Sequence, residues 1–488
     1  MTKQGYSGPL EQVGPCRWKI PKTYKAGMRV DGVIYADEPL IEQIRHDQAP
    51  EQVANVATLP GILQHSLAMP DIHWGYGFPI GGVAATDPRE GGVISPGGVG
   101  YDINCGVRVV RSNLAYADVR DHVRRLVDDL FHRIPTGVGR TGKYRFAQDD
   151  MRHVLAEGPR YLVRTRGLGI ARDIEYTEAG GCLEGADPDA VSHRAFARGE
   201  AQCGTLGSGN HFLEVQVVDR IVDEQAAHVM GLFAGQIVVL IHSGSRGLGY
   251  QVCDDFLAKL RNAPAQYGID LPDRQLVCAP VDSAEGRRYL GAMRAAANFA
   301  WCNRQLLMQQ TREVFARVCG RAWEALDMHL VYDVAHNIAT FEDHRVDGAT
   351  KTLCVHRKGA TRAFPPGHLE IPQTYRPIGQ PVLIPGSMGT ASWILVGQAG
   401  SMDQTFGTTC HGAGRLMSRT AAVKEAHGRQ IDRELEQMGI IARARSRREL
   451  PEEQPKAYKD VDAVVDVVHR AGLSKKVARC RPIGVIKG

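Results

Sequence analysis

The sequence predicts an α+β fold built as one large domain over residues 1–488. Three observations predict it. Short apolar strands recur along the chain, and several run straight into Gly-rich loops carrying His, Cys or Asp. Between Glu285 and Val318 the periodicity turns helical and stays so, which places a helical block at about residues 249–325 inside the domain. The residues able to hold a metal or attack a phosphorus atom are scattered from Asp102 to His411, which argues against independent domains.

Composition narrows the class. Hydrophobic residues make up 43% and charged residues 23%, as in a soluble globular protein, and the formal net charge of +5 does not by itself announce a nucleic-acid binder. Met1 to Leu10 holds no apolar core of signal-peptide length, and the longest apolar run, Ile237 to Ile241, is too short to span a bilayer. The 11 cysteines are an odd, scattered set with no Cys-x-x-Cys pair, which suits a reducing cytoplasm and argues against a zinc ribbon. The 54 glycines cluster in loops of the kind that approach phosphates or metals.

Taken in order, Met28 to Tyr35 alternates as a strand and Glu38 to Arg45 reads as a helix. Met69 to Ala84 reads as a Gly/Pro loop closing in a short strand; its Asp71 and His73 are either ligands or a hydrogen-bonded pair shaping the loop. Gly98-Val99-Gly100-Tyr101-Asp102-Ile103-Asn104-Cys105-Gly106 sets a carboxylate three residues from a thiol between glycines, an arrangement able to complete a metal shell. A strand follows at Val107 to Val110, then a helix from Asp118 to His132 with Val119, Val123, Leu126, Val127 and Leu130 on one face. Ile134 to Tyr144 reads as a surface loop in which Lys143, with Arg145 just beyond it, either meets phosphate or, by default, belongs to a solvated charge run.

Gly204 to Val215 is a Gly/Ser turn delivering Asn210 and His211 to the start of an alternating strand that holds Glu214. Gln236 to Ile241 is a buried strand ending in His242 and a Ser/Gly loop with Arg246, whose guanidinium and neighbouring backbone N–H groups suit a phosphate. The helical segment carries Tyr289, Leu290, Met293, Ala297 and Trp301 inward, with Arg287, Arg288, Arg294, Arg304 and Arg312 assigned to its outer face. Met328 to Asn337 is a strand ending in the pair His336-Asn337, and Val355 to Arg362 is a compact basic cluster, either suited to RNA or triphosphate or the exposed, solvated tip of a hairpin. Pro381 to Ser392 is a buried strand opening into a Gly/Ser turn that lacks the ending of a Walker A loop. His411 stands between small residues just before a helix expected from Leu416 to Ala426, where it is either a nucleophile or a metal ligand. A charged helical region runs from Glu434 to Arg448 and onward through Arg470, and the apolar C-terminus is expected to dock on the body.

These stretches together resemble the RtcB family of GTP-dependent RNA ligases: Asp71 to Ala84, Gly97 to Arg108, Gly207 to Glu214, His242 to Gly247, His336-Asn337, Arg357 to Arg362, Pro385 to Ser392, His411 to Arg415 and Val485 to Gly488. Trp393 stands where the family pattern has tyrosine. The resemblance implies two manganese ions, one held by Asp102, Cys105 and His211, the other by Cys105, His242 and His336, with Cys105 bridging. It implies that His411 becomes guanylylated by GTP. The guanylate site would be lined by Asn210, His211, Phe212, Leu213, Glu214, His336, Asn337, Pro385, Gly386, Ser387, Met388, Ser392, His411, Gly412, Ala413, Gly414 and Lys487. By donor and acceptor matching, Glu214 would read guanine N1 and N2, and Lys487 its O6. Arg246, Arg357, Lys358, Arg362 and Arg415 are the expected RNA or phosphate contacts.

The implied reaction joins an RNA 3′-phosphate or 2′,3′-cyclic phosphate end to a 5′-hydroxyl end through an RNA–ppG intermediate, in tRNA splicing or RNA repair. The activator archease, which some family members need, becomes a candidate partner; a membrane does not. Soft sulfur with imidazole suits zinc as well, so manganese comes from the resemblance alone. Two rival functions use the same residues. A binuclear phosphoesterase or nuclease would need no nucleotide pocket and no His411 nucleophile, and an RNA-binding accessory protein would need no Cys105. A purely structural metal site would require a closed ligand shell.

Overall fold

The structure, a computed structural model, describes residues 5–446 and 448–488. Two large, mostly antiparallel sheets form its frame. The first has the strand order Leu330–Ala335, Gly106–Ala115, Gln236–Ser243, Phe212–Ile221, Ser474–Lys487, Ser392–Gly397, Pro381–Ile384, with Ile441–Ala444 pairing Ser474–Lys487 in parallel. Its end strands approach one another, so the sheet nearly closes on itself. The second runs Glu11–Gly14, Arg17–Ile20, Asp31–Tyr35, His65–His73, Ile80–Thr86, Ala349–Lys358, Asn337–Val346. This mix of sheets and helices is the α+β class that the sequence pattern predicts.

The first sheet is made of β-branched and leucyl runs because both of its faces are covered. All eight residues of Gln236–Ser243 are buried, and Ile237 to Ile241 pack with Val107, Val109, Leu213 and Val215 in one core cluster. The C-terminal segment is an integral strand of this sheet, with Lys487 opposite Phe212, so the chain end does dock.

The expected helix between Glu285 and Val318 is Ala284–Cys319, 36 residues capped by Ser283 at its start and by left-handed Gly320 at its end. Its burial departs from expectation. Arg304 and Arg312 are fully buried, not on an outer face. The helix is wrapped on nearly all sides, so its arginines reach carboxylates instead of water: Arg304 pairs with Asp333 and Arg312 with Asp173.

Other expectations are also corrected. Met69 to His73 lies within the strand His65–His73, and only residues 74–79 form the turn before Ile80–Thr86. The helix predicted from Asp118 splits into Tyr116–Val119 and Val123–Arg133, though its apolar face is buried as predicted. The charged C-terminal region is not one helical run: Ile431–Gln437, the strand Ile441–Ala444, Glu449–Glu452 and Val461–Arg470 alternate. Local charge gave no sign of the strand, which exists only because the edge of Ser474–Lys487 is there to pair with. Among the described residues, no helix is long and apolar enough to cross a membrane.

Candidate active site and metal centre

The register of the first sheet builds the site. In four neighbouring antiparallel strands, Ala335 faces Gly106, Val107 faces His242 and Phe212 faces His242. Because adjacent strands run oppositely, the end of one lies beside the start of the next. Cys105 precedes its strand, His211 precedes its strand, His242 sits one residue from the end of its strand, and His336 follows its strand. All four side chains therefore meet at one edge of the sheet. His336 is also the single residue between Leu330–Ala335 of the first sheet and Asn337–Val346 of the second, so it stands where the chain crosses between them.

The donor atoms converge. Cys105 Sγ lies 3.3 Å from His211 Nε2 and 3.3 Å from His242 Nε2. His211 Nε2 is 2.7 Å from Asp102 Oδ2, and the Nε2 atoms of His242 and His336 are 3.3 Å apart. Among the described residues these atoms form two metal-competent groups, Cys105/His242/His336 and Asp102/Cys105/His211, with Cys105 common to both. Burial pushes the Cys105 thiol well above its usual range, and Asp102 beside it pushes further the same way. Burial likewise drives His242 and His336 well below the usual imidazole range, so both rings are neutral and keep a lone pair. Burial opposes the charge on Asp102, but His211 and then Arg246 hold its carboxyl below the usual range. Two imidazole nitrogens and a thiol that all aim lone pairs at one point repel one another unless a cation or a proton lies between them. The donor set thus fits a bound metal, with one carboxylate, one thiol and three imidazoles.

A buried polar frame holds these loops. Asn104 adopts a left-handed backbone (φ 51°) and donates from Nδ2 to Ala297 O. Arg304, on the buried helix, donates to the carbonyls of Asn104 and Ser243 and to both oxygens of Asp333. Asn303 beside it spans the loops of Thr205 and Gly244 with both ends of its amide. Sequence reasoning missed Asn303 and Arg304 as supports of the site. The available signal was a pair of strongly polar residues directly after the apolar run Phe299-Ala300-Trp301-Cys302 of the same helix.

His411 follows the short strand Thr408–Cys410, which pairs with Ala360–Arg362. Its Nδ1 is 2.5 Å from Asp71 Oδ2, and that same oxygen accepts from the backbone N–H groups of His411 and Gly412. Asp71 is fully buried, and despite that burial the His411 contacts keep its carboxyl below the usual range. Asp71 is therefore a partner of His411 and lies outside both metal-competent groups. His73 sits in the same strand and bonds Asp71 O through Nδ1. Gly414 is required here: its φ is +75°, and a Cβ would lie 2.2 Å from Asp71 O. The helix expected from Leu416 to Ala426 is Arg419–Glu425, with Ser418 as its cap, so His411 is not at a helix N-terminus.

His411, His336 and His242 open onto one cavity of about 340 Å³, with Asn210, Phe212, Asn337, Pro385, Gly386, Gly412, Ala413, Gly414 and Arg415 in its wall. The His411 and His336 rings are 4.8 Å apart. Asn337 acts as a clasp, donating to Asp102 O and accepting from Gly359 N. Glu214, Ser387, Ser392 and Lys487 are buried behind this wall. Lys487 Nζ lies over the Phe212 ring and donates to Gly209 O. Burial raises the Glu214 carboxyl to about 8, and Gln216 and Ser392 join it in a hydrogen-bonded row. Leu213 and Met388 direct their side chains into core clusters and form no part of the cavity wall.

The basic residues divide. Arg246, in a left-handed conformation (φ 53°), places Nη1 3.1 Å from His211 Nδ1. Lys358 lines the cavity, its Nζ donating to the carbonyls of Tyr76 and Phe78, and burial lowers it to about 7. Arg415 is in the wall and pairs with Glu453. Arg357 and Arg362 are corrections: Arg357 is buried against Glu342, and Arg362 against Glu178 and Glu370, so neither reaches a surface strand of RNA. Their stretch is strand, not an exposed hairpin tip, and burying a guanidinium demands a carboxylate partner.

The sequence profile of the tRNA-splicing ligase RtcB family matches residues 52–488. The chain belongs to the RtcB family. A tRNA-splicing ligase RtcB of Thermococcus kodakarensis is 56% identical over 480 residues, covering 98% of this chain and 99% of the relative. One of Archaeoglobus fulgidus is 56% identical over 481 residues, covering 99% of each. An RNA-splicing ligase RtcB of Mycobacterium tuberculosis is 52% identical over 439 residues, covering 90% of this chain and 100% of the relative. The aligned RtcB segment contains Asp71, the five metal-competent side chains, His411 and Lys487. The fold and the donor cluster of this RtcB-family chain are thus those of an RNA ligase with a metal-competent centre.

Proposed function

We propose that this chain joins RNA ends bearing a 3′-phosphate or 2′,3′-cyclic phosphate to 5′-hydroxyl ends, with GTP and manganese, through a guanylylated His411. The observation that carries the reading is the position of His411, tied through Nδ1 to a buried carboxylate in the cavity where the metal donors end. Asp102, Cys105 and His211 would hold one ion, and Cys105, His242 and His336 the other. Bound there, the ions supply Lewis-acid stabilisation of charge developing on phosphate oxygens.

The chain's own groups do the rest. The Asp71 carboxylate keeps the proton of His411 on Nδ1, so Nε2 presents its lone pair. A bond forms from Nε2 to the α-phosphorus of GTP as the bond to pyrophosphate breaks. The GMP group then passes to the RNA 3′-phosphate, freeing His411. A 5′-hydroxyl oxygen attacks that activated phosphorus, GMP leaves, and the hydroxyl proton passes to solvent. A 2′,3′-cyclic end is first opened by water. Glu214 and Lys487 read the guanine edge, and Arg246, Lys358 and Arg415 meet phosphate. Cleaved tRNA halves and broken RNAs awaiting repair carry such ends, and archease is a candidate activator.

The test is incubation with GTP labelled at the α-phosphate. The expected result is a covalent, acid-labile, alkali-stable adduct that His411→Ala abolishes. No adduct with any divalent metal would instead favour a metal-dependent phosphoesterase.

A further inference from the structure

The cavity of about 340 Å³ takes roughly one nucleotide, so an RNA strand whose end reacts there has to leave across the rim. Three tyrosines in contact mark one such exit. Tyr76 and Tyr101 are in the cavity wall. Their rings meet edge to face at 5.7 Å, and the outer face of Tyr101 is stacked by Tyr250, with centroids 4.8 Å apart and planes 26° from parallel. Tyr250 lies on the helix Arg246–Lys259 and remains 50% exposed. The row thus runs from the cavity wall into solvent.

Both outer tyrosines are carried by elements of the centre itself. Tyr101 precedes Asp102, and Tyr250 is one helical turn beyond Arg246. Their placement is therefore fixed relative to the reacting atoms. A half-exposed aromatic ring gains little from staying in water, whereas any nucleobase offers a π-face to it. Single-stranded RNA is recognised mainly in this way, by stacking unpaired bases on aromatic side chains.

We propose that Tyr101 and Tyr250 form a stacking platform for an unpaired RNA base at the mouth of the catalytic cavity. The inference rests on the RNA-ligase reading above. It adds a contact to the base, insensitive to base identity, to the phosphate contacts supplied by arginine and lysine. An enzyme that joins different broken ends needs grip without sequence selection, and stacking supplies that.

The experiment compares wild type, Tyr250→Leu and Tyr250→Phe, each checked for an unchanged melting temperature. Each is given single-stranded RNA ends either intact or abasic at the nucleotides next to the junction. Tyr250→Leu is expected to raise KM for intact RNA about tenfold, with a smaller change in kcat. On abasic RNA the two proteins are expected to have equal KM, and Tyr250→Phe is expected to match wild type on both. Equal KM of Tyr250→Leu and wild type on intact RNA would overturn the platform, as would an equal loss on intact and abasic RNA. Ligation by the wild type keeps these outcomes separate from failure of the ligase reading; a wild type that joins neither RNA removes both.

Discussion

Asp71 and Glu214 show how two buried carboxyls acquire opposite states from their neighbours. Asp71 has His411 and two backbone N–H groups on one oxygen and stays ionised. Glu214 has only an amide donor beside it and distant Lys487, and burial raises it to about 8. Guanine presents N1–H and N2–H, so reading it requires the carboxylate form of Glu214. Under the proposed reading, binding of GTP would then expel a proton. The sign follows: below pH 8 the competent fraction of Glu214 grows with pH, so GTP affinity rises by up to about tenfold per unit. Titration calorimetry between pH 6 and 8, with Glu214→Gln as the comparison, checks this; the variant is expected to bind more weakly and with a flatter profile. A wild-type affinity that falls or stays level over that range would remove Glu214 as the guanine reader.

At the scale of elements, strand ends and one buried helix make the site. His242 was legible in the sequence because a run of apolar residues, Ile237 to Ile241, ends in it. Arg304 and Arg312 were misread, because helical periodicity reports which face is apolar and says nothing of a carboxylate arriving from another element. Asp333 comes from a strand 29 residues after Arg304, and Asp173 from a short helix 139 residues before Arg312. Arg357 and Arg362 were misread for the same reason, their basic cluster being neutralised by Glu342, Glu178 and Glu370. Arg312 donates to both oxygens of Asp173 and to Met328 O. Replacing it leaves a buried carboxylate short of its charge partner, which costs about 3–5 kcal/mol. Arg312→Met is therefore expected to melt several degrees below wild type in calorimetry; an unchanged melting temperature would mean the pair contributes no net stability.

At the scale of the molecule, the metal-competent centre joins distant parts of the fold. Its side chains come from residues 102 to 336, and His336 ties the two large sheets at their crossover. A ligand that binds only this folded arrangement stabilises it by mass action, about 2.7 kcal/mol at a hundred times its dissociation constant. Manganese is expected to raise the melting temperature of the chelator-treated protein. Cys105→Ala, which removes the donor common to both groups, is expected to erase most of that rise, while His411→Ala keeps it. A full rise in Cys105→Ala would show that the ions bind elsewhere.

Chemical identity and local pattern settled much in advance. The thiol and carboxylate three residues apart, the His-Asn pairs, the strand endings, the α+β class and the family resemblance follow from residue order, because strand and turn preferences act over a few residues. Only the tertiary structure decided that His411 faces Asp71 across 340 positions, that a buried helix holds the loops through Asn303 and Arg304, and that four arginines expected on an outer face or against RNA, Arg304, Arg312, Arg357 and Arg362, are interior. The reason is physical. A side chain's charge state and role depend on what surrounds it in space, and those neighbours arrive from sequence positions that no local pattern ties together.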